Sequence, residues 1–163
     1  MNEYQKKRFS KQMVKSMFNS VTGKKIAIFG FAFKKDTGDT RETASAFVCR
    51  DLLDEGAKLW VYDPQVSRET MFTEFKYTLS LEPDENAIVT ATDAYAAAEG
   101  SHAIAILTEW DEFKTLDYQR LYDSMSKPAF LFDGRNIADV PALRQIGFEV
   151  YAIGKPVPKE MFE

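Results

Sequence analysis

The chain has 163 residues, 45% apolar and 28% charged, with a net charge of −4. That is enough for one domain with a buried core, and the composition is that of a globular protein and not of a disordered tail. The acidic balance supplies no basic field for nucleic acid, and no apolar run approaches the roughly 18 residues that cross a bilayer, so a cytoplasmic protein with no nucleic-acid or membrane partner is expected.

The first 20 residues read as an amphipathic helix. Phe9, Met13 and Met17 recur at four-residue steps, while Lys6, Lys7, Arg8, Lys11 and Lys15 occupy other faces, where solvation explains them. No capping signal precedes the helix, and the start "MNEYQKKRFS" lacks the apolar core of a secretory signal. Residues 1–20 are therefore expected to be the end of a longer connecting helix, and residues 21–163 a domain. The apolar stripe is expected either to pack on that domain or to drive self-association.

Six strand-like runs follow: "KIAIF" (25–29), "KLWVY" (58–62), "AIVTA" (87–91), "AIAIL" (103–107), "AFLF" (129–132) and "EVYAI" (149–153). Most are continuously apolar, the pattern of parallel strands buried on both faces. Helical stretches separate most of them. Residues 42–55 stop at Gly56, Asp93 caps "AYAAAEG", Asp117 caps "YQRLYDSMS", and "VPALRQIG" ends at Gly147. The less regular segment 67–86 is read as a helix followed by a surface loop. The alternation predicts an α/β fold, a Rossmann-like doubly wound, mainly parallel six-stranded sheet with helices on both faces.

In such sheets, ligands sit beyond the carboxyl ends of the strands where strand order reverses, here between the first and fourth. This rule selects the loops Gly30–Arg41, Thr108–Phe113 and Asp133–Ile137. The first lacks G-x-G-x-x-G and is not an ordinary dinucleotide cradle. Asp39 and Glu42 fit a capping box, whereas Phe33 and Lys34 adjoin the strand end, where a lysine supplies a point charge for a phosphate or a sugar hydroxyl.

In the third loop Gly134 permits a tight turn. Arg135 presents a planar fork for phosphate or a base carbonyl, or else pairs with Asp133 or Asp139. Trp110 reads as core packing more than as a stacking platform. Asp63 ends the second strand, where NAD-binding Rossmann domains place a ribose-holding acid, but with no glycine loop and with Pro64 next, a turn or capping role is favoured. Cys49, the single cysteine, lies among helically spaced apolar positions and reads as a small buried or half-buried helix residue. His102 has no second metal-type ligand at a recognisable spacing, so no metal is expected.

"KKIAIFGFAFKKDTGDTRET", "YDPQV", "TEWDEF", "LDYQ", "KPAFLFDGRNI" and "IGF", in this order, closely resemble the C-terminal region of the UDP-glucose dehydrogenases, over about residues 4–157. The stretch "SRETMFTEFKYTLSLEPDENAIV" fits only loosely, as a surface insertion would. The resemblance implies a UDP-sugar-binding domain of an enzyme that oxidises UDP-glucose to UDP-glucuronate with two NAD. Both the cysteine nucleophile and the main NAD-binding domain would then lie outside this chain.

The same resemblance assigns Phe33, Lys34 and Arg135 to the substrate and Arg41 to NAD. It assigns no catalytic residue to this chain, makes the remaining domains its partners, and implies a homo-oligomeric enzyme. GDP-mannose and UDP-N-acetyl-mannosamine dehydrogenases, which share the architecture, are alternatives, as is a stand-alone nucleotide-binding module.

Overall fold

The computed structural model describes residues 3–32, 44–82 and 84–152. All six expected strands are present: β1 (Lys25–Phe29), β2 (Lys58–Tyr62), β3 (Ile88–Thr90), β4 (Ala103–Ile106), β5 (Phe130–Asp133) and β6 (Glu149–Ala152). They form one parallel sheet in the order β3-β2-β1-β4-β5-β6. Order reverses between β1 and β4, as the sequence predicts. The central strands are buried on both faces, β4 and β5 at every residue and β1 from Ile26 to Phe29, which is why their sequences are almost continuously apolar.

Among the described residues, six α-helices flank the sheet: α1 (Glu3–Ser16), α2 (Ala44–Asp54), α3 (Arg68–Leu79), α4 (Ala94–Ala98), α5 (Tyr118–Ser124) and α6 (Val140–Ile146). Neighbouring helices fall into two sets, α1–α2–α3 and α4–α5–α6, as expected for layers on opposite faces. The expected Asp93 and Asp117 caps form. Asp93 accepts from the Ala96 amide at 2.7 Å and Asp117 from the Arg120 amide at 3.1 Å.

The N-terminal helix ends at Ser16, short of the expected residue 20, because Phe18 and Asn19 take left-handed backbone angles, φ 63° and 61°. Lys24 closes this end, donating to the carbonyls of Met17 at 2.9 Å and Ser20 at 2.7 Å. Between the two expectations for the apolar stripe, the fold selects packing on the chain's own core. Phe9, Met13 and Met17 are buried, and the Phe9 ring meets Phe132 of β5 edge-on at 6.4 Å.

Candidate functional site

The carboxyl ends of β1, β2, β4 and β5 converge on one edge of the sheet. The turn that leaves β1, Gly30 to Ala32, is the place where a dinucleotide-binding fold presents free amides to a pyrophosphate. Here those groups are occupied from within. The Gly30 amide donates to the Tyr62 carbonyl at 2.8 Å, and its carbonyl accepts from the Ser45 hydroxyl at 2.9 Å. The Phe31 and Ala32 amides both donate to Asp63 Oδ2, at 2.7 and 2.9 Å. The Ala32 carbonyl accepts from the Thr108 hydroxyl at 2.8 Å.

Gly30 is required for this packing. Its φ is +98°, and a Cβ there would lie 2.4 Å from the Thr108 Cβ and 2.8 Å from the Thr108 backbone nitrogen. The turn can thus lie flat against the β4 loop only without a side chain at this position.

Asp63, at the end of β2, is buried and receives four donors. Oδ2 takes the Phe31 and Ala32 amides and the Trp110 indole Nε1 at 3.0 Å, and Oδ1 takes the Gln65 amide at 2.8 Å. The last bond is the turn role favoured from sequence. The first three tie together the loops after β1, β2 and β4, so this carboxylate serves the fold's own loops. Trp110 is buried as expected, with its polar edge used in this cluster.

Arg135 lies beyond β5. Its backbone amide donates to Asp133 Oδ1 at 2.9 Å. Its guanidinium pairs with neither Asp133 nor Asp139 but with Glu109 from the β4 loop. Asp139 instead caps α6 through the Ala142 amide at 3.2 Å, and Asp133 Oδ2 accepts from Ala138 at 2.8 Å. The Arg135 side chain, paired in this way beyond the carboxyl end of β5, keeps 27% of its surface accessible.

Of the residues named from sequence, Arg135 lies on the reversal edge, whereas Phe33, Lys34 and Arg41 fall outside the described residues. So does the expected capping box of Asp39 and Glu42. Sequence reasoning missed the reach of Asp63, the pairing of Glu109 and the packing of Thr108 on Gly30. The available signal was the position of each at or just beyond a strand end on the reversal edge.

Cys49 is fully buried in α2, and burial pushes its thiol well above the ordinary range. A thiol reagent is expected to leave the native chain unmodified and to label one cysteine in denaturant; rapid native labelling would contradict this burial. His102 precedes β4 on the opposite edge. Desolvation, then the Lys24 charge, holds its imidazole below the usual range. Among the described residues no cluster of three His, Cys, Asp or Glu side chains could hold a metal, and no helix is long and apolar enough to cross a membrane.

A family model for the UDP-glucose/GDP-mannose dehydrogenase family, UDP binding domain, matches residues 27–140. The chain is 52% identical to UDP-glucose 6-dehydrogenase 4 of Oryza sativa subsp. japonica and 54% identical to UDP-glucose 6-dehydrogenase 1 of Glycine max. Each match covers 96% of this chain and 35% of the relative, so the chain spans only that share of these curated proteins.

Among solved structures, it resembles a UDP-glucose dehydrogenase of Pyrobaculum islandicum (TM-score 0.67, 24% identity) and an NDP-N-acetyl-D-galactosaminuronic acid dehydrogenase of Methanosarcina mazei Go1 (TM-score 0.73, 21% identity). Both similarities cover 93% of this chain and 29% of the other, and they speak for the fold. With a match running from β1 to the start of α6, the chain belongs to the UDP-glucose/GDP-mannose dehydrogenase family and corresponds to its UDP binding domain.

Proposed function

We propose that this chain holds the UDP part of UDP-glucose in an NAD-dependent UDP-glucose 6-dehydrogenase that forms UDP-glucuronate. The observation that carries this reading is the 52% identity to a UDP-glucose 6-dehydrogenase over 96% of the chain. Arg135, held by Glu109 at the reversal edge, is the described residue best placed for the substrate. Phe33 and Lys34 are assigned to the same substrate, and Arg41 to NAD.

The turn after β1 does not fit an NAD pyrophosphate, because Asp63 takes its amides. NAD is therefore assigned mainly to a part of the whole enzyme outside this chain, as are the groups that oxidise the sugar. In this reading residues 1–20 end a connecting helix, residues 21–163 form the UDP-sugar domain, and the whole enzyme is a cytoplasmic homo-oligomer.

Thermal unfolding with UDP, UDP-glucose, GDP or NAD tests the assignment. Ligand at 100 times its dissociation constant adds about 2.7 kcal/mol, which raises the midpoint of a chain this size by roughly 5–10 °C. UDP and UDP-glucose are expected to give that rise and GDP and NAD much less. A larger rise with GDP would move the chain to the GDP-mannose reading, and no rise with any of the four would remove the proposed uridine site from the isolated chain.

A further inference from the structure

We propose that Asp63 is a positioning residue that serves as an internal anion, filling the amide pair after β1 so that the substrate is met by side chains at the crevice, Arg135 among them. This inference rests on the UDP-binding reading above. Two successive buried amides facing one point form an anion-binding concavity, the element that nucleotide-binding folds leave open for phosphate. In this chain that point is Asp63 Oδ2, 2.7 Å from the Phe31 nitrogen and 2.9 Å from that of Ala32.

The same oxygen holds Trp110. Next to Trp110 in the chain is Glu109, the partner of the Arg135 guanidinium, and Thr108 before it ties back to Ala32. One carboxylate thus closes the phosphate position of the first turn and fixes the loop on which the arginine is braced. Without it, four donors, the Phe31, Ala32 and Gln65 amides and the Trp110 indole, lose their acceptor. The Trp110 end of the β4 loop then loses its tie to β2, leaving only the Tyr62 contacts with Glu112 and Phe113 farther along, and the segment that carries Glu109 braces Arg135 less firmly.

Asp63→Ala tests this, with formate as a replacement carboxylate and chloride at equal ionic strength as control. In folded variant protein the UDP dissociation constant is expected to rise about tenfold or more, the loss of a charge-assisted contact's worth of order. Formate, and not chloride, is expected to restore UDP affinity and return the Phe31 and Ala32 amide resonances to their wild-type positions. A folded variant that binds UDP like wild type overturns the proposal. So does formate that restores the resonances and the melting temperature without restoring UDP affinity, because the carboxylate would then serve stability alone.

Should Asp63→Ala fail to fold, Asp63→Asn retains the size without the charge. A severalfold loss of UDP affinity supports the proposal, and unchanged affinity overturns it. Wild type that takes no UDP brings down the UDP-binding reading together with this inference, whereas equal binding by wild type and variant brings down the inference alone.

Discussion

Replacing Gly30 by alanine is expected to destabilise the chain by roughly 2–5 kcal/mol, the sum of backbone strain and overpacking. The added Cβ meets the Thr108 side chain at 2.4 Å and the Thr108 backbone nitrogen at 2.8 Å, at a φ of +98° that side chains other than glycine's rarely adopt. Neither neighbour can yield freely. Thr108 is buried, its hydroxyl is bonded to the Ala32 carbonyl, and it follows Leu107, whose amide is bonded to the Phe29 carbonyl of β1. A fall of on the order of 10 °C in the unfolding midpoint is expected. Adding Thr108→Ala should recover little of it, because alanine keeps the Cβ at 2.4 Å, and the backbone clash and the strained φ remain. A Gly30→Ala variant that melts like wild type would show that the turn has another way to leave β1.

Arg135→Ala is expected to weaken UDP binding by about 1.5–3 kcal/mol, roughly ten- to hundredfold, because a half-buried guanidinium makes charge-assisted hydrogen bonds that water does not fully replace. Calorimetric titration measures this directly. Arg135→Lys keeps the charge but loses the planar fork, so it is expected to recover only a fraction of the affinity. The unfolding midpoint should change less by comparison, since Arg135 and Glu109 keep 27% and 24% of their side-chain surface accessible. An unchanged dissociation constant in Arg135→Ala would remove this residue from the site.

Much of the architecture was legible because burial on both faces imposes a simple pattern. Strands such as "AIAIL" and "AFLF" have no polar face, and their parallel pairing required the helices that the Asp93 and Asp117 caps announced. The strand order then placed the reversal edge where the sequence predicts it. The end of α1 was misplaced because Phe18 and Asn19 turn left-handed, which apolar periodicity does not report.

At the reversal edge, the place of Arg135 just beyond β5 was legible from sequence, but its partner was not. Glu109 comes to it only because β4 and β5 are neighbours, and two nearer aspartates, Asp133 and Asp139, compete on paper. Both of those are taken by backbone amides. Asp63 was hidden for a related reason. Three of its four donors are backbone amides, which leave no mark in a sequence of side chains. The missing glycine motif showed that the first turn is not a dinucleotide cradle, but not that a carboxylate from the next strand fills it.

The most direct measurement is a crystal structure of this chain with UDP. The account predicts UDP oxygens within hydrogen-bonding distance of the Arg135 guanidinium, with Asp63 still holding the amides of Phe31 and Ala32. A diphosphate seated on those two amides with Asp63 turned away, or UDP bound elsewhere than the carboxyl edge of the sheet, would contradict it.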